Sequence, residues 1–194
     1  MFSTVKTSSQ KPALYATSAD FCRIFEKSMD RLFLLSLLLT GNQGDAEKCF
    51  VQGLVDSKEG NPVFKDWAES WARRTIVRNA IGMIQPRPTD ILPSASRDGS
   101  GAASVQRPEV SAILALPSFD RFAYVLSVLE GYSLQECALL LDCSRNDVIT
   151  ARMRALQQVL QFLERHDSSR NIGPRTETTR EDAVDKFSQL AATA

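Results

Sequence analysis

Six side chains within ten residues, Arg145, Asn146, Ile149, Thr150, Arg152 and Arg154, form the stretch best equipped for chemistry with another molecule. Arginine offers a planar fork of donors that fits two acceptors on guanine, and asparagine fits the donor and acceptor pair on adenine. Both stand directly after Ser144, and Asp147 follows three residues behind it, an approximation to the serine–acid device that caps a helix start. Arg145 and Asn146 therefore open a helix, with Thr150 one turn on. A helix entering the major groove of DNA reads base edges with its N-terminal side chains. Arg152 and Arg154 lie further along, placed for phosphates. Ile149 and Met153 suit a packing or partner face better than a thymine methyl. A solvated polar face is the plain alternative for Arg145, Asn146 and Thr150.

The elements that position this stretch are legible nearby. Ser133-Leu-Gln-Glu136 is a full capping box, and Cys137, Ala138, Leu140 and Leu141 give the helix after it an apolar side. A short helix over Leu134–Leu141, a turn at Asp142-Cys143 and a second helix from Ser144 describe a helix-turn-helix. Val148, Ala151, Ala155, Val159 and Phe162 recur along the second helix as its buried stripe.

Two other clusters invite a binding role. Lys65, Arg73, Arg74 and Arg78 make one segment locally basic, and Trp67 and Trp71 sit four apart within it. That spacing suits a core; the alternative is an exposed platform on which unpaired bases stack. Asp45, Glu47 and Gln52 open another helix. They fit a first-turn charge complement with a surface amide, or contacts to a protein partner.

Catalytic chemistry finds no support. Gly-rich phosphate loops and nucleophile elbows are absent, the one histidine is His166, and the carboxylates are scattered. His166 reads as a charge at a helix C-terminus. Cys22, Cys49, Cys137 and Cys143 are far apart and lack close pairing. They read as small apolar residues rather than metal ligands. No enzyme activity, metal, cofactor or small-molecule substrate is expected. Net charge is zero, with 23 basic and 23 acidic side chains. This counts against strong non-specific nucleic-acid binding and leaves local placement to carry any DNA contact.

The 194 residues suit an all-α protein of two small helical domains joined by a flexible linker, the C-terminal one a helix-turn-helix. Residues 1–17 read as a disordered start. Residues 18–84 form the first domain, with one helix from a Ser18 cap to Gly41, a second from Asp45 weakened by Gly53, and a third from an Asn61-Pro62 start to Ile84. Residues 85–107 are a Pro-, Ser-, Gly- and Ala-rich linker. Residues 108–167 form the second domain: a short helix over Pro108–Leu116, one from Pro117 to Gly131, then the helix-turn-helix. Residues 168–194 read as a disordered tail with a weak helical pattern near its end. The greasiest run, Leu32–Leu39, is far short of the roughly 20 residues a bilayer crossing needs. Without a signal peptide, a cytoplasmic location with no membrane association is expected.

The segment ILALPSFDRFAYVLSVLEGYSLQECALLLDCSRNDVITARMRAL resembles the C-terminal domain of extracytoplasmic-function sigma factors of the sigma-70 class. Leu116-Pro117, Arg121, Leu129-Glu130-Gly131-Tyr132-Ser133, Glu136, Ala138, Leu141, Ser144, Val148 and Arg154-Ala155 carry the likeness. In that family this domain reads the promoter's −35 element. Leu39-Thr40-Gly41-Asn42 with Asp45-Ala46-Glu47 and Gln52 is similar to the family's polymerase-binding helix. Phe64, Trp67, Ala72 and Arg73 resemble its −10-binding helix. The resemblance implies a transcription initiation protein whose partners are RNA polymerase core and promoter DNA, with an anti-sigma protein as a further candidate. Three departures stand out. Asp142 occupies the family's turn glycine. Ile149 and Ala151 stand where a lysine and an arginine are frequent, and Arg74 replaces a frequent asparagine. Residues 108–167 hold five arginines against eight acids, so DNA affinity that is weak, or conditional on polymerase, is expected. Two other readings remain open: a sigma-like interaction protein that binds polymerase or a regulator without reading DNA, and a stand-alone helix-turn-helix regulator.

Overall fold

The computed structural model describes residues 14–89 and 107–170, with side chains to His166 in the last helix. Among these residues all regular structure is helical, and the one β contact is an isolated bridge between Tyr15 and Phe64. Most of the linker predicted at 85–107, the start through residue 13 and the tail from residue 171 lie outside the described residues.

Helix α1 (Ser18–Lys27) is capped by Thr17 rather than Ser18, with the Asp20 carboxylate returning a bond to the Thr17 backbone. The expected single helix to Gly41 is two. Ser28 leaves helical geometry at φ −110° and ψ 20°, and α2 (Met29–Thr40) begins after it. Serine hydroxyls compete with the helical backbone, which makes a lone serine a natural breaking point. Gly41, at φ +86°, closes α2 in the left-handed conformation that glycine adopts without a Cβ clash.

Asn42 caps α3 (Gln43–Glu59) by accepting from the Asp45 backbone. Gly53 is a contact point within α3 rather than a weakness: a Cβ there would lie 2.8 Å from Ile76 Cγ1 on α4. Its absence lets the two helices approach closely. The expected helix start at Asn61-Pro62 is not used. Ala16 donates to Val63 O at 2.7 Å and Lys65 to Leu14 O at 3.1 Å, holding this stretch extended. A 3-10 turn, Lys65–Trp67, then leads into α4 (Ala68–Ile84).

Helix α5 (Pro108–Leu114) is followed by α6 (Ser118–Tyr124), which widens into a π turn over Val125–Leu129 before Gly131 reverses the chain at φ +73°. Helix α7 (Leu134–Leu140) and the long α8 (Arg145–Arg170) complete the fold. Phe119, Phe122, Leu126, Val148, Ala151 and Ala155 are almost wholly buried between them. Each of the larger ones contributes about 1.5–3 kcal/mol. The small Ala151 and Ala155 let α8 lie close against α6.

The buried apolar residues of α2 to α4 and those of α5 to α8 form one continuous cluster. Where the two sets meet, the Arg121 guanidinium of α6 crosses to α2. It donates to Leu39 O at 3.3 Å and Thr40 O at 3.4 Å, and to Leu116 O at 3.2 Å on its own side.

Candidate nucleic-acid interface

The turn between α7 and α8 is built from its own residues. Ser133 accepts from the Glu136 backbone while Glu136 accepts from the Ser133 backbone at 2.9 Å, as the sequence pattern required. Ser144 and Asp147 repeat the exchange at 3.1 and 3.0 Å, so aspartate serves where the fuller motif has glutamate. These bonds favour the ionised acids. The Ser133 backbone bond is the main force holding Glu136 below its ordinary pKa, and the Ser144 hydroxyl does the same for Asp147. Between the caps, Cys143 N–H reaches back to Ala138 O at 3.0 Å, and Asp142 takes φ +49°. The turn demands a left-handed residue, which explains why glycine fits that position.

The leading edge of α8 is open. Ser144, Arg145, Asn146 and Thr150 are exposed, and Ile149 and Arg152 are half-buried. At about 100° per residue, Arg145, Ile149 and Arg152 form one strip, and Asn146, Thr150 and the exposed Met153 the next. The two strips make a single outward face, and Val148 and Ala151 point into the core. Ser144 acts through its cap on the helix start.

Arg154 departs from expectation. Its guanidinium makes a two-pronged pair with the buried Asp120 of α6, at 2.6 and 3.0 Å. It lies off the outward face and ties α8 to α6.

The basic cluster divides. Trp71, Arg74 and Arg78 follow one another at spacings of three and four on one stripe of α4, whereas Arg73 faces elsewhere. Lys65 pairs with Asp20 at 3.6 Å. The tryptophans do not share the core role their spacing suggested: Trp67 is 65% exposed, and only Trp71 is half-buried. The 3-10 turn shifts Trp67 out of the helical register. It joins a surface aromatic row, Phe64 edge-on at 5.5 Å and Tyr15 stacked on Phe64 at 4.9 Å. Tyr15 was not singled out from the sequence, and it reaches the row only through the bridge to Phe64.

On α3, Asp45 and Gln52 share a face and Glu47 lies on the opposite one. All three are engaged locally. Asp45 takes bonds from Asn42 and Lys48, Glu47 one from Gln43, and Gln52 donates to Asp56. The hydrogen bond from Asn42 is the first cause of Asp45's lowered pKa.

The four cysteines are free thiols: Cys49 and Cys137 buried, Cys22 and Cys143 half-buried. Burial pushes Cys49 and Cys137 up to about 11, which leaves both protonated and unreactive at neutral pH. No helix among the described residues is long and apolar enough to cross a membrane.

Residues 110–159, from α5 through most of α8, match a family model described as Sigma-70, region 4. No curated protein matches the chain.

Proposed function

We propose that this chain, whose residues 110–159 match the Sigma-70, region 4 family model, is an extracytoplasmic-function-type initiation factor joining RNA polymerase core to a promoter. The region 4 match supports promoter DNA binding and polymerase association in general. The finer reading places Arg145, Asn146, Ile149, Thr150 and Arg152 in the −35 major groove, with Ser144 fixing the helix start. The carrying observation is the open leading edge of α8: Arg145 and Asn146 are exposed on a capped helix start and backed by a buried core. Trp67, Phe64 and Tyr15, with Arg74 and Arg78, form the surface we assign to unpaired −10 bases. Asp45 and Gln52 on α3 are assigned to polymerase. A cytoplasmic location follows from this role.

Neither DNA surface is strongly basic. Two weak contacts on one chain still combine, because the second becomes intramolecular once the first is made. The test is transcription from fragmented genomic template by purified core polymerase with and without the protein. Discrete protein-dependent transcripts support the proposal. Polymerase binding with no such transcript favours the interaction-protein reading, which the exposed, apolar Met153 beside Ile149 also suits. A symmetric footprint formed without polymerase favours the stand-alone regulator.

A further inference from the structure

We propose that the segment Arg180–Leu190 is a helix that folds back antiparallel on α8 and covers an apolar stripe formed by Met153, Leu156, Leu160 and Leu163. The inference goes beyond the promoter reading and does not depend on it.

Met153, Leu156 and Leu160 are 64%, 39% and 59% exposed, and Leu163 is half-buried. Spaced alternately by three and four, the four side chains fall within a sector of about 80° on α8. They lie apart from the buried stripe of Val148, Ala151, Ala155 and Val159. Alternation of three and four is the seam by which one helix packs along another. A contiguous apolar row left open to water marks a docking face. Gln157 and Gln161 are exposed beside it, and no charged residue falls between Arg154 and Glu164. The stripe therefore suits a helix that is apolar along one side, whatever the charge on its other side.

The chain carries such a segment beyond α8, outside the described residues. Thr179-Arg-Glu-Asp182 has the spacing of Thr17 and Asp20, whose reciprocal bonds cap α1. Ala183, Phe187 and Leu190 then recur at four and three, and Glu181, Asp185 and Ser188 fall on the opposite side. Run antiparallel, Ala183, Phe187 and Leu190 mirror Leu160, Leu156 and Met153. Each set spans seven residues, about 10 Å of helix. The largest side chain, Phe187, then meets Leu156, the least exposed of those three. The nine residues 171–179 reach as far as about 30 Å when extended. The return to the level of Leu163 needs about 10 Å along α8 and about 10 Å sideways. Gly173-Pro174 suits the reversal. In this register the apolar match ends at Met153, two turns behind Asn146, so the leading edge of α8 stays open.

An isolated helix of eleven residues is marginal in water, so slowed amide exchange over residues 183–190 reads docking itself. Hydrogen exchange of the full chain, followed by mass spectrometry, compares wild type with Leu160→Ser and Phe187→Ser. Light scattering gives the mass of each. Leu160 is exposed, so its replacement leaves the core intact. The wild type is expected to be a monomer in which residues 183–190 exchange several-fold more slowly than in either variant. Loss of that protection in Leu160→Ser, a change on α8 alone, identifies the stripe as the docking face. Free exchange over residues 183–190 in the wild type overturns the proposal. Protection that survives Leu160→Ser overturns it too, because the segment then rests elsewhere. A dimeric wild type whose protection falls on dilution gives the stripe to a second copy and overturns the intramolecular account.

Discussion

Arg154 reaches across from α8 to Asp120 on α6 with two hydrogen bonds, and the carboxylate it holds is only 2% exposed. The pair fixes the angle at which α8 leaves the core. Arg154→Ala strands a buried carboxylate and is expected to cost about 2–4 kcal/mol. Asp120→Ala is expected to cost less, about 1–2 kcal/mol, because the freed Arg154 side chain, already 39% exposed, can turn to solvent. Urea unfolding reads both. The salt dependence of DNA binding supplies the complement: an arginine committed to Asp120 leaves that slope unchanged when removed, whereas a phosphate contact lowers it.

Asp142 holds φ +49° in the turn before α8. Aspartate tolerates this geometry better than most residues, and glycine adopts it freely. Asp142→Gly is expected to raise stability by about 0.5–1 kcal/mol, and a β-branched Asp142→Val to lower it by about 1–2 kcal/mol. Thermal melts measure the two shifts. Opposite signs are expected, and equal effects contradict the strain account.

Acid should loosen the helix-turn-helix through its caps. Glu136 and Asp147 are both held below their ordinary pKa values by Ser133 and Ser144. A depressed folded pKa means that the stabilisation is complete above the unfolded value, 4.5 for Glu136 and 3.8 for Asp147. It is lost as pH falls through the lower folded value. Ser133→Ala and Ser144→Ala each remove about 1 kcal/mol at neutral pH and flatten the acid-side decline. Denaturant midpoints across pH 3–6 in wild type and variants check this.

Trp67 gives a spectroscopic handle on the aromatic row. It is exposed and Trp71 is half-buried, so the solvent-facing part of the emission belongs to Trp67. A single-stranded oligonucleotide should quench that part by stacking, and Trp67→Phe should abolish the quench without changing the melting temperature. Trp67→Ala, which removes the ring, weakens single-strand binding by about 1–3 kcal/mol for the base stacked on it. Quenching that survives in Trp67→Phe contradicts the assignment.

The caps and the helix-turn-helix were legible in the sequence because they are local: Ser133 with Glu136 and Ser144 with Asp147 are three residues apart and need no distant partner. The exposed pair Arg145 and Asn146 follows from the same register. The misses share a cause. Trp67 lies outside the helix because residues 14–16, far away in sequence, hold Val63 and Phe64 extended just before the 3-10 turn. The bond from Arg154 to Asp120, 34 residues earlier, follows from no spacing along the chain. Arg121 crosses a sequence separation of 81 residues to Thr40, and no periodicity along the chain encodes that meeting. Gly53 showed only its poor helix propensity until Ile76 lay against it.

The most direct measurement is sequencing of the DNA retained by polymerase bound to wild type, Arg145→Ala and Asn146→Ala, at equal protein stability. If the leading edge of α8 reads bases, the wild type enriches one upstream element. Each variant then loses preference at its own position within that element, by about 1–3 kcal/mol of discrimination. Identical base preferences in all three contradict the account, because then neither Arg145 nor Asn146 touches a base edge.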